Sequence, residues 1–137
     1  LIQEIVELSS AEMDKRGIRY SFSNEAEDDR VLGERSQIRQ VLLNLGLNAM
    51  DAMPQGGNLS VRLYAEDRQI RIELKDTGGG IPPNLLPTIH MPFISTKKNG
   101  LGLGLSKAYA IIEEHGGSIS CSSTVGEGTV FTVCLNR

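Results

Sequence analysis

Along the first sixteen residues Leu1, Ile5, Leu8 and Met13 recur at roughly helical spacing and Gly17 supplies a stop, so the opening segment predicts a helix. Ile18, Tyr20 and Phe22 then alternate with Arg19, Ser21 and Ser23, the period of a half-buried strand, and a short strand is expected at Val31-Leu32. From Ser36, read as the N-cap, apolar residues recur at Ile38, Val41, Leu42, Leu45, Ala49, Ala52 and Met53, until Pro54 and Gly56-Gly57 end the run. This is the clearest helix in the chain. Residues 58–65 and 69–75 alternate on either side of Glu66-Asp67-Arg68, which predicts a hairpin. A last helix is expected from near Leu103 to Glu114, stopped by Gly116-Gly117, with a closing hairpin of residues 118–123 and 129–135. Because hairpins make most of the connections, the order predicts an α+β, two-layer α/β sandwich: three main helices on one face of a mixed, mostly antiparallel sheet.

Residues 76–104 break this regularity. They hold four of the five prolines, together with glycines at 78, 79, 80, 100, 102 and 104. A connection this long inside a compact domain is usually functional. The whole chain has 137 residues, enough for one core and too few for two, so a single domain over 1–137 with a single site is expected. A net charge of -3 gives no general reason to bind nucleic acid or an anionic membrane, so any phosphate ligand has to be held locally. No apolar run approaches the ~20 residues that span a bilayer, and a cytoplasmic location is expected. Cys121 and Cys134 lie in neighbouring predicted strands without metal-ligand spacing and read as reduced thiols. The chain starts without Met and in mid-pattern, as expected of a piece of a longer protein.

Three stretches carry candidate chemistry. On the helix from Ser36, Asn44, Asn48 and Asp51 fall at intervals of four and three and share a face, a stripe that alone is better explained by solvation and matters only if partners converge on it. Asp76-Thr77-Gly78-Gly79-Gly80-Ile81 sets a carboxylate at a strand's end, followed by glycines that let a flat ligand approach the backbone. Such a carboxylate accepts from an exocyclic amine, as adenine offers; a plain glycine-rich turn is the other reading. Phe93-Ile94-Ser95-Thr96-Lys97-Lys98 and Gly100-Leu101-Gly102-Leu103-Gly104-Leu105 then lead into a helix, where free N–H groups, the helix dipole and lysines suit phosphate. Neither a P-loop nor a Gly-x-Gly-x-x-Gly dinucleotide turn is present.

Taken in order, Asn44-x-x-x-Asn48-Ala49, Asp76-x-Gly78-x-Gly80-Ile81, Phe93-x-x-Thr96-Lys97, Gly100-x-Gly102-x-Gly104 and Gly126-x-Gly128-Thr129-x-Phe131 resemble the N box, first glycine box, F box, second glycine box and last hairpin of sensor histidine-kinase catalytic domains. These belong to the GHKL superfamily, with its Bergerat nucleotide fold. The resemblance implies that Asn48 ligates Mg²⁺ on the phosphates, that Asp76 reads the adenine amine, and that Gly78, Gly80 and Ile81 shape the adenine pocket. It implies that Lys97 touches the terminal phosphate, that Phe93 and Thr96 belong to a mobile lid over about 84–100, and that Gly100 to Leu105 close on the phosphates. Thr129 would support Asp76 through its hydroxyl or a water, and Asn44, Asn48 and Lys97 form the implied catalytic set.

Two departures refine the expectation. Many members carry Lys or Arg three residues after the metal-binding Asn; Asp51 stands there in this chain, in the manner of the nitrogen-sensor type subgroup, and is counted with the nucleotide-binding residues. Hydrolysing members carry Glu where this chain has Asn44, and an amide cannot take a proton from water near neutral pH. Phosphoryl transfer to a neutral imidazole needs no such base. Neither His90 nor His115 is followed by the acidic residue expected beside an acceptor, and His115 is read as a cationic side chain welcome at a helix C-terminus. The acceptor domain is therefore expected outside this chain. The implied cofactors are ATP and Mg²⁺, and the implied partners are a histidine-bearing dimerisation domain of the same parent and a downstream response regulator. This domain alone is expected to be a monomer and its parent a homodimer.

Overall fold

The computed structural model describes residues 1–27, 31, 33–89 and 103–136. Helix α1 (Ile2–Arg16) turns through left-handed Gly17 into strand β1 (Ile18–Asn24); α2 (Arg35–Asp51) precedes the hairpin of β2 (Gly57–Glu66) and β3 (Gln69–Asp76). A 3-10 turn (Leu86–Thr88), helix α3 (Leu103–Glu114) and the hairpin of β4 (Ser118–Thr124) and β5 (Gly128–Asn136) complete the order. The sheet runs β1-β2-β3-β5-β4. Among the described strands β1 and β2 are parallel, joined by α2 as a crossover, and the other pairs are antiparallel.

The two-layer sandwich is as expected from the sequence. On β3, Ile70, Ile72 and Leu74 alternate inward and are buried; β2 contributes Leu59, Val61 and Leu63, and β5 Phe131, Val133 and Leu135. The helices close this face with Ile5 and Met13 from α1, Val41, Leu42 and Leu45 from α2, and Ala108 and Ile112 from α3. The opposite face carries the other register of each strand, including the Arg62, Glu25 and Glu73 ion pairs. With β3 central and β5 beside it, the polar ends of these two strands meet between α2 and the β4–β5 turn.

Two expectations are corrected. The N-cap of α2 is Glu34, not Ser36: Glu34 has extended backbone and its carboxylate accepts from the Ser36 N–H and, at 2.6 Å, from the Ser36 hydroxyl. The serine lies inside the first turn and is itself a donor to the cap. Val31 is not in a strand, and Leu32 lies outside the described residues.

Candidate functional site

Asp76 ends β3 and is only 3% exposed, facing Leu59 of β2 and Thr129 of β5 across the ladders. Its Oδ1 accepts from the Gly78 N–H at 2.9 Å, and the backbone N–H of Thr129 also donates to the carboxylate. Burial pushes this carboxyl above the ordinary aspartate value, and the two backbone donors only partly offset it. Two N–H groups leave further lone pairs on the carboxylate, which favour an amine donor in a ligand. Its field extends to β4: the Cys121 thiol is pushed up to about 12 by burial and then by Asp76. Tyr109 of α3 is likewise raised to about 12, by burial and then by Cys121. Both cysteines are free, and Cys121 is a protonated thiol in this setting rather than a nucleophile.

After Asp76 the chain threads between the end of α2 and the β4–β5 turn. A side chain at Gly78 would run into the carbonyl of Ala52, and the Gly79 N–H donates to that same carbonyl at 3.4 Å. Gly80 has φ +80, and a Cβ there would lie 2.5 Å from the Thr124 carbonyl oxygen. These glycines are required by close backbone approach as well as by conformation. From the other side the Gly126 N–H donates to the Gly79 carbonyl at 2.9 Å. The Ile81 N–H donates to Ser123 Oγ at 2.7 Å, and Ile81 packs against the core.

Asn44 and Asn48 are half-buried on one face of α2. The Asn44 amide donates to the Gly104 carbonyl at 3.3 Å, pinning the start of α3 to α2, while the Asn48 side chain has no hydrogen-bond partner among the described residues. Gly104 is exposed and Leu105 half-buried against the core; Leu103 opens the helix. Asp51 Oδ1 pairs at 2.9 Å with Arg16 of α1, whose Nε also holds Glu12 at 2.8 Å. Thr129 is buried; its hydroxyl lies 2.9 Å from Ser123 Oγ, and its backbone N–H donates to Asp76. Phe93, Thr96, Lys97, Gly100, Leu101, Gly102 and His90 lie outside the described residues. So does most of the 84–100 stretch; its start is a turn in which Leu85 and Leu86 donate to the Pro82 carbonyl, followed by buried Ile89.

His115 is not the cationic cap expected from the sequence. Its Nε2 accepts from the Glu34 N–H at 3.1 Å, which leaves Nδ1, 2.7 Å from the Ile111 carbonyl, to carry the proton. The ring is a neutral clamp between the end of α3 and the start of α2. The residues that sequence reasoning missed are Ser123, the Ala52 carbonyl and the Cys121–Tyr109 flank. Ser123 had a signal: a hairpin turning over residues 125–127 sets it directly opposite Thr129.

A family model described as histidine kinase-, DNA gyrase B-, and HSP90-like ATPase matches residues 33–137. Sporulation kinase A of Bacillus subtilis is 35% identical over 137 residues, covering 100% of this chain and 23% of the relative. The chain thus spans about a quarter of that protein's length. Among solved structures, the nucleotide-free catalytic domain of histidine kinase ThkA superposes with a TM-score of 0.90 at 34% identity, over 99% of this chain and 90% of that one. ThkA has also been solved with response regulator protein TrrA, with TM-score 0.85, 31% identity, and coverage of 99% of this chain and 39% of that one. Full-length ShkA in complex with AMPPNP gives 0.88 at 26% identity, over 97% of this chain and 28% of that one.

Proposed function

Because the chain belongs to the histidine kinase-, DNA gyrase B-, and HSP90-like ATPase family, we propose that it is the ATP-binding catalytic domain of a sensor histidine kinase. It binds Mg-ATP and donates the γ-phosphate to a histidine on the dimerisation domain of its parent, in two-component signalling with a response regulator downstream. The observation that carries the reading is the Asp76 carboxylate, buried, held by two backbone N–H groups and walled by glycines packed on Ala52 and Thr124. A carboxylate so placed accepts from the adenine amine and repels the carbonyl that guanine offers at the same edge.

The phosphates run toward α2 and the start of α3. Asn48 holds the metal: its amide is a hard oxygen donor, and Mg²⁺ takes one or two protein ligands plus substrate phosphates rather than a protein cage. Among the described residues no three His, Cys, Asp or Glu side chains gather into such a cage. When bound, Mg²⁺ neutralises charge on the transferred phosphoryl group. The N–H groups of Leu103, Gly104 and Leu105 at the helix start face anions favourably, and the Asn44–Gly104 bond keeps that start against α2. Lys97 reaches the terminal phosphate, with Phe93, Thr96, Gly100, Leu101 and Gly102 in the covering lid. An amide already donating to a carbonyl is no base for water, which favours kinase over hydrolase chemistry.

Asp51 supports a place in the nitrogen-sensor-like subgroup, and the Arg16 pair balances the charge it brings near the metal. The isolated domain is a monomer from a homodimeric parent, acts on the cytoplasmic side and binds no nucleic acid. The test is incubation with γ-labelled ATP and the parent's dimerisation helix supplied as a separate piece. Label on that helix's histidine, and negligible label on this chain, is expected. Acid-labile label on His90 or His115 overturns the reading.

A further inference from the structure

The segment after Asp76 has little regular structure to hold it, yet it forms one wall of the base site. Its fixed points on the far side all come from the β4–β5 hairpin: the Thr124 carbonyl under Gly80, the Gly126 N–H on the Gly79 carbonyl, and the Ser123 hydroxyl on the Ile81 N–H. Ser123 is the one side chain among them. Its Oγ lies 2.7 Å from the Ile81 nitrogen, 3.0 Å from the Gly128 carbonyl and 2.9 Å from Thr129 Oγ1. A hydroxyl has one proton and two acceptor sites. The Ile81 N–H occupies one acceptor site, and the Gly128 carbonyl can only accept. When the Ser123 proton goes to Gly128, Thr129 must donate to Ser123; when it goes to Thr129, the Thr129 proton is released for another acceptor.

We propose that Ser123 is a positioning residue for the base-binding wall, fixing the Gly78–Ile81 segment through the Ile81 N–H and setting which way the Thr129 hydroxyl points beside Asp76. This deepens the adenine reading of Asp76 and rests on it. Among the described residues its hydrogen bonds go to Ile81, Gly128 and Thr129, so its loss acts at the base end of the ligand. It is more than a hairpin brace: besides Gly128 and Thr129 across the β4–β5 ladder, it holds the Ile81 N–H of the segment that follows the carboxylate.

The experiment measures ATP, ADP and GTP affinities by calorimetry for the parent chain, Ser123→Ala and Ser123→Thr, with thermal melts of each. The parent is expected to prefer ATP over GTP. Ser123→Ala is expected to weaken ATP and ADP by the same factor, about three- to tenfold for lost and unpaired hydrogen bonds, and to narrow the ATP-to-GTP ratio. Ser123→Thr, which keeps the hydroxyl, is expected to restore the ratio. If the alanine variant is unfolded, Ser123→Cys, similar in size with a weaker acceptor, carries the same comparison. A lowered melting temperature with an unchanged ATP-to-GTP ratio, or a loss confined to ATP over ADP, overturns the proposal. A parent that binds ATP and GTP equally overturns the Asp76 reading on which it stands, whatever Ser123 does.

Discussion

Asp76→Asn keeps the shape of the buried carboxylate and replaces one acceptor with a donor. In the parent the carboxylate accepts from Gly78 and Thr129 and, on this account, from the adenine amine. A hydrogen bond to a charged group contributes ~1.5–3 kcal/mol, so the variant is expected to bind ATP about 10- to 150-fold more weakly at neutral pH. Acidification should shrink that gap. The Asp76 carboxyl is held above its ordinary value, mainly by burial, so the parent loses the charge that reads the amine as pH falls through that raised value. The variant has no such group to titrate, and the parent-to-variant ratio at each pH cancels the titration of the nucleotide. The nucleotide-free fold should respond in the opposite sense. A carboxyl raised in the folded state contributes stability that is present below its unfolded value and lost as pH rises through the folded one. The parent should therefore gain melting temperature relative to the variant as pH is lowered through the same window. Calorimetry and thermal melts over a pH series test both. An affinity ratio near unity at neutral pH, or one that grows on acidification, would refute the reasoning.

Two further predictions concern the scaffold. Gly46 lies inside α2 beside an apolar cavity of ≈ 40 Å³ lined with Ile5, Val6, Leu42, Met50 and Val61, and a Cβ there meets nothing within 4 Å. Gly46→Ala is expected to stabilise by ~1 kcal/mol through helix propensity, seen as a rise of about 3–5 °C in melting temperature; an unchanged or lower value contradicts the packing. His115→Ala removes the acceptor for the Glu34 N–H and the donor to Ile111, and is expected to cost ~1–2 kcal/mol in a denaturant titration; a neutral outcome would show that the clamp between α3 and α2 contributes nothing.

The local parts of the fold were legible because their signals are local. Alternation on either side of Glu66-Asp67-Arg68 gives β2 and β3, and Gly116-Gly117 ends α3 where expected. Strand order is not local: that β5 inserts between β3 and β4 depends on contacts some sixty residues apart in sequence, which no short pattern carries. The same distance hides side-chain partners. His115 reads as a cation until the Glu34 N–H arrives from α2, and the Arg16–Asp51 pair joins α1 to α2, whereas the Ser36 cap was displaced by a local rival, Glu34, two residues before it. The place of Asp76, at a strand's end before glycines, was legible because it is local. Its Thr129 donor follows from the β3–β5 register, whereas the Gly78 donor lies only two residues on.

The most direct test of the central claim is a crystal structure of the chain with a non-hydrolysable ATP analogue and Mg²⁺. The account predicts the exocyclic amine within hydrogen-bonding distance of the Asp76 carboxylate, the ring against Gly78 and Gly80, and the metal on the Asn48 amide oxygen. An analogue seated away from Asp76, or a metal held without Asn48, would contradict it.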